Sequence, residues 1–155
     1  AEKCDRVMAV DSSEGALENV RRNAKINGFD NVETRKAKVF DLLSDFARGR
    51  TTFETIVLDP PAFAKSRKHV ESAARAYKEI NLKALKLLDR DGVLVTCSCS
   101  HHFSEADLLG VVAAAALDSG KRLRVLERRS QGRDHPIALT IPETHYLKCL
   151  ILQVM

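Results

Sequence analysis

No run of about 18 apolar residues, the length a membrane-spanning helix needs, occurs in the 155-residue sequence. No membrane association is therefore expected. Cysteine is sparse, at four residues (Cys4, Cys97, Cys99 and Cys149), and a chain of this length can bury a core without covalent staples, so reduced thiols are expected. Only one residue separates Cys97 from Cys99, and no second Cys/His pair stands at zinc-ligand spacing, which argues against a metal site. The seven glycines, at 15, 28, 49, 92, 110, 120 and 132, never gather into a glycine-rich loop. Repeats, low-complexity tracts and linkers are also missing. The opening Ala1-Glu2-Lys3-Cys4-Asp5-Arg6 is mixed and charged, unlike a secretory leader, so a cytoplasmic location is expected.

What is present is ordinary globular composition, 45% hydrophobic and 30% charged, in a chain the size of one domain. A net charge of +4 fits a polyanionic partner, although placement of the charges matters more than their sum. The apolar run 6–10 ends at Asp11, and Asp11-Ser-Ser-Glu14 has the spacing of a capping box for a helix reaching about Asn27. Strands are expected at 32–37 and 53–58, with a short helix over 41–46 between them. Asp59-Pro60-Pro61 stops the third strand, because proline cannot continue a central ladder. A long helix over 71–89 is expected to end at Asp91-Gly92, followed by a buried strand over 93–98. Ser104-x-x-Asp107 resembles a capping box for a helix running to Ser119-Gly120. Closing strands are expected at 123–128 and 144–154, separated by a polar loop over 130–142.

Strands alternating with helices predict an α/β fold with a largely parallel sheet, whose ligands sit at the carboxyl ends of the strands. Asp11, Asp59 and the segment Cys97 to Ser100 all follow apolar strands, so they are expected to converge on one crevice. Each has a plainer reading. Asp11 can accept hydrogen bonds from ribose hydroxyls or simply cap a helix. Asp59 can hydrogen-bond the edge of an extruded base, with Phe63 stacking on its face, or the two can be a strand-ending turn and a core aromatic. Cys97 and Cys99 share one side of a regular strand, and physics alone favours cysteine as a small buried hydrophobe, since a nucleophilic thiol requires local activation. Lys65, Arg67 and Lys68 form a basic loop suited to RNA phosphates or merely to water. His135, in Asp134-His135-Pro136, can orient a substrate or serve a loop-stabilising Asp–His pair.

The segments Val10-Asp11-Ser12, Asn23-Ala24-Lys25-Ile26-Asn27-Gly28, Leu58-Asp59-Pro60-Pro61-Ala62-Phe63 and Tyr77-Lys78-Glu79-Ile80-Asn81 together look like a known family. Thr96-Cys97-Ser98-Cys99-Ser100, Asp134-His135-Pro136 and Tyr146-Leu147-Lys148 extend the match over most of the chain. It resembles the class I methyltransferases that make 5-methylcytosine in large-subunit ribosomal RNA, the large-subunit rRNA methyltransferase I type. The resemblance implies a Rossmann-like sheet, mostly parallel with an antiparallel last strand. It implies S-adenosylmethionine as cofactor, with Asp11 on its ribose and Val39, Asp59 and Pro60 as further cofactor-site residues. Cys99 is then the nucleophile, Asp59 engages the cytosine edge, and ribosomal RNA is the partner.

Two departures from the family accompany the match. Where family members usually place an acidic residue two positions before the Phe of Ala37-Lys38-Val39-Phe40-Asp41, this chain has Lys38, which leaves backbone groups near Val39 for the adenine ring. The first strand, its glycine-rich loop and the amino-terminal RNA-binding domain of the family are absent from residues 1–155. The chain is accordingly expected to be a partial methyltransferase domain that alone binds cofactor poorly or not at all, with exposed sheet edges that invite a homodimer. Alternative expectations are an N-methyltransferase acting on an exocyclic amine of a nucleobase, and a non-catalytic RNA-binding fragment.

Overall fold

The computed structural model describes residues 1–64 and 66–155; Lys65 and the side chain of Arg67 lie outside the described residues. The chain forms two compact units, Ala1–Asp45 and Phe46–Met155.

In the first unit, strand β1 (Val7–Asp11) runs into helix α1 (Glu14–Ile26) and returns as β2 (Val32–Lys36). The two strands pair in parallel, from Val7 opposite Val32 to Asp11 opposite Lys36. The N-cap of α1 is Ser13, two residues later than the capping-box spacing suggested: its hydroxyl accepts from the Ala16 N–H at 3.3 Å. Asp11 is thereby relieved of capping, and its Oδ1 accepts from the Ser13 N–H at 2.7 Å. Asn27 and Gly28 end the helix, and Gly28 has φ +70°, in the region open to glycine. Helix α2 (Val39–Arg48) follows, longer at both ends than its sequence pattern indicated.

The second unit is built on a four-stranded sheet in the order β3-β4-β6-β5, from β3 (Phe53–Leu58), β4 (Leu88–Ser98), β5 (Leu123–Arg129) and β6 (Lys148–Val154). β3 and β4 are parallel, and β6 lies antiparallel between β4 and β5, as an antiparallel last strand requires. Helices α3 (Val70–Lys86) and α4 (Glu105–Ser119) pack with this sheet around a core that includes Tyr77, Ile80, Leu85, Leu94, Phe103, Leu108 and Leu150. Strict alternation of buried and half-buried positions along β6 puts Lys148, Leu150, Leu152 and Val154 on the core face. Lys148 is the anomaly in that row.

Two further boundaries differ from the sequence reading. Helix α3 ends at Lys86, because Leu87 and Leu88 are both buried and the Leu87 carbonyl accepts from the Phe53 N–H at 2.9 Å, which turns the chain into the sheet. Asp91-Gly92 therefore lies inside β4, at an irregularity where Phe53 pairs with Leu88 but Thr55 with Val93. Asp91 has φ +64°, and a Cβ on Gly92 would come within 2.9 Å of the Asp89 carbonyl. Strand β6 starts at Lys148 rather than near 144, since Pro142 opens a 3-10 turn, Pro142–Thr144, that occupies the position where the strand was expected to begin.

Candidate active site

Strand β3 delivers Asp59 to an exposed position, and the two prolines that follow leave Pro60 buried, which fixes the backbone direction immediately after the carboxylate. Strand β4 delivers Cys97, Ser98, Cys99 and Ser100 beside that turn. Ser98 and Ser100 both reach the Tyr77 hydroxyl of α3, while Cys97 pairs with Cys149 in the β4–β6 register. Cys99 is half-buried, with its Sγ 3.9 Å from the Pro60 carbonyl oxygen. Asp59, Pro60 and Cys99 thus form one cluster within the second unit.

The two cysteines have different surroundings. Cys97 is buried and lies opposite Cys149 in the β4–β6 register. Burial, followed by a hydrogen bond and charge interaction with Cys149 and by the nearby Asp59 and Cys99, pushes the Cys97 thiol up to about 12. Held protonated near neutral pH, Cys97 is a poor nucleophile, because the thiolate is the reacting form.

Phe63 is half-buried with its ring centroid 4.8 Å from that of Tyr77, which in turn stacks on Phe103 at 4.8 Å. The packing role foreseen as its plainer reading is thus present. Lys68 is exposed on a 3-10 turn, Arg67–His69, and borders an open groove of about 600 Å³ between the starts of α3 and α4. Glu71 and Asp107 line the same groove, so its charge is mixed. His135 is exposed in the loop before β6, where its Nδ1 is 3.0 Å from Asp134 Oδ2 and its ring packs edge-on toward Tyr146 at 6.3 Å.

Asp11 and Val39 belong to the first unit. Asp11 is exposed at the carboxyl end of β1, and the Ala37 N–H donates to its carbonyl at 3.1 Å, which seats the start of α2 against that strand end. Val39 is the first residue of α2, in the turn whose N–H groups have no intrahelical acceptor.

Sequence reasoning gave no role to four residues that surround Cys99. Tyr77 is fully buried, and its hydroxyl lies 2.9 Å from Ser98 Oγ and 3.0 Å from Ser100 Oγ. Ser100 Oγ also accepts from the Ala64 N–H at 3.1 Å. Lys148 is buried and donates from Nζ to the Ser100 carbonyl at 2.7 Å and the Tyr146 carbonyl at 2.8 Å. Burial pulls its pKa below the usual lysine range, while Cys99 and Asp107 act in the opposite direction. A lysine in phase with Leu150, Leu152 and Val154 is the signal that could have found it.

An α/β scaffold with an acidic residue and a cysteine at adjacent strand ends is matched over residues 1–132 by the family described as a methyltransferase domain, and the chain belongs to that family. It is similar to the curated protein Ribosomal RNA large subunit methyltransferase I of Tolumonas auensis, with 43% identity over 151 residues, 96% of this chain and 38% of the relative. The protein of the same name from Pseudoalteromonas translucida is 43% identical over 153 residues, 97% of this chain and 39% of the relative. The chain spans about two fifths of the length of these relatives. Among solved structures, SMU.776 complexed with SAH superposes with a TM-score of 0.82 at 19% identity, over 96% of this chain and 39% of that one, a likeness of fold.

Proposed function

We propose that the protein carrying this chain transfers a methyl group from S-adenosylmethionine to C5 of a cytosine in large-subunit ribosomal RNA, through a covalent adduct on Cys99. The observation that carries the reading is the placement of a half-buried Cys99 against Pro60 of the Asp59 turn, with Cys97 buried and held protonated. Similarity to proteins named Ribosomal RNA large subunit methyltransferase I supports the RNA substrate.

The cofactor assignment draws on the fit of the first unit. Asp11 is exposed and is excused from capping α1, and its one bond to the Ser13 N–H leaves lone pairs for ribose hydroxyls. The Val39 N–H, in the first turn of α2, supplies a donor for the adenine edge without the acidic side chain that Lys38 replaces. When bound, S-adenosylmethionine supplies an electrophilic sulfonium methyl to C5. SMU.776, of like fold, was crystallised with SAH, the demethylated form of that cofactor.

C5 of cytosine is a weak nucleophile, so the protein must first raise its electron density. The Cys99 thiolate forms an S–C6 bond, and the electron pair of the C5–C6 double bond moves onto C5. Asp59 favours the addition by holding a proton against N3, where negative charge would otherwise build as the thiolate adds. After methylation, loss of the C5 proton to a base re-forms the double bond and expels Cys99 as thiolate. The base must be unstacked to admit attack on its face, which suits a single-stranded site. The exposure of Lys68 and His135 supports assigning them to the RNA-binding surface.

A 5-fluorocytosine RNA tests the reading, because fluorine cannot leave as a cation and the adduct accumulates. In the full-length protein, Cys99→Ala is expected to abolish the denaturant-stable RNA adduct, while Cys97→Ala retains it. An adduct that survives Cys99→Ala but not Cys97→Ala would overturn the assignment. Methyl found on an exocyclic amine would replace it with the N-methyltransferase reading.

A further inference from the structure

The residues on both sides of Cys99 are fixed by one phenol. Ser98 Oγ donates to the Tyr77 hydroxyl at 2.9 Å, which leaves the Tyr77 proton for Ser100 Oγ at 3.0 Å. Ser98, Ser100 and Tyr77 are all fully buried, so the three hydroxyls cannot exchange these partners for bulk water. Ser100 Oγ also takes the Ala64 N–H, and Ala64 directly follows Phe63 in the Asp59 turn. The Ser100 N–H returns to Ser98 Oγ at 3.3 Å, and Lys148 holds the Ser100 carbonyl from the other side. On its ring faces Tyr77 packs against Phe63 and Phe103.

A buried network of this kind holds a geometry only when every member is satisfied. The bonds join two segments that are 36 residues apart in sequence, the end of β4 and the turn after β3. Asp59 and Cys99 sit on those two segments, and neither takes part in the hydroxyl bridge. The bridge therefore acts on them through the backbone.

We infer that Tyr77 is a positioning residue for the transfer, its hydroxyl clamping Ser98 and Ser100 so that Cys99 meets the base held by the Asp59 turn. This rests on the Cys99 reading above. The misplacement it prevents is small in distance but large in rate, since shifts near 1 Å in a reacting pair can cost on the order of 100-fold.

Tyr77→Phe removes the hydroxyl and keeps the ring between Phe63 and Phe103. In the full-length protein, single-turnover adduct formation with 5-fluorocytosine RNA is expected to slow by about 10–100-fold, with the RNA dissociation constant unchanged. Val112→Ala, a buried change in α4 that removes no member of the hydroxyl bridge, is expected to lower the melting temperature yet keep the wild-type adduct rate. If Tyr77→Phe fails to fold, Ser100→Ala breaks the same bridge from its other end and carries the same expectation. A wild-type adduct rate in the folded variant overturns the inference, and so does a loss of rate matched by Val112→Ala at equal loss of stability. Cys99→Ala, run beside them, separates the two failures: an adduct that persists there sinks the nucleophile assignment itself.

Discussion

Cys97 and Cys99 stand two residues apart across the end of β4, and burial separates them. The Cys97 thiol, raised from 9.0 to about 12 chiefly by burial, keeps its proton in the folded protein at a pH where the unfolded chain has lost it. The native state then binds more protons than the unfolded state, so this group's contribution to stability is whole below pH 9.0 and falls as pH rises toward about 12. Cys97→Ala is expected to flatten that fall. Urea unfolding at pH 8 and pH 10.5, wild type against variant, measures it; equal losses in both proteins would show that Cys97 is not the titrating group. The family resemblance ranked the two thiols but residue chemistry alone could not, because what sets Cys97 apart is chiefly its burial and then Cys149 and Asp59, which tertiary structure brings to it. Lys148 was hidden for the same reason: its partners are carbonyls, which no side-chain motif advertises.

Helix α4 shows what local sequence can dictate at the scale of an element. Ser104 accepts from the Asp107 N–H at 3.1 Å and Asp107 Oδ2 accepts from the Ser104 N–H at 2.8 Å, the reciprocal bonds that the Ser-x-x-Asp spacing implied. At the other end Gly120 has φ +68°, where a side chain is strained whatever space surrounds it. Ser104→Ala is expected to cost about 1 kcal/mol, and Gly120→Ala about the same. The helix is about 22 Å long at ~1.5 Å per residue, too long for its ends to share partners, so the double variant should lose about 2 kcal/mol. Denaturant titration of the four proteins decides it, and a sum that departs by more than about 0.5 kcal/mol would mean that the two caps are coupled. The α3–β4 junction shows the opposite case. Asp91-Gly92 has the composition of a helix stop, yet burial of Leu87 and Leu88 and the Phe53–Leu87 bond end the helix earlier, a tertiary demand that periodicity does not carry.

Across the whole molecule, alternation of strands and helices was readable because several elements carry local stops: Ser13 and Gly28 bound α1, Pro60 follows β3, and Ser104 and Gly120 bound α4. How the strands divide between sheets was not, since pairing depends on partners distant in sequence: β1 with β2, and β3, β4, β6 and β5 in a second sheet. That division has a consequence for stability. The first unit places Leu17, Leu42 and Leu43 in the buried class and leaves β1 and β2 without a single fully buried position. The second places Tyr77, Phe103 and Leu94 at 0% exposure and backs β4 with β6 along six paired positions. Opening free energy follows buried apolar contact, so the backbone amides of a thinly buried sheet exchange through smaller fluctuations than those of a deep core. In this chain the β1 and β2 amides are expected to exchange with deuterium well before those of β4 and β6, as followed by mass spectrometry of peptides from each strand. Equal protection across both sheets would mean that the two units open together, and that the thin burial of β1 and β2 does not limit their stability.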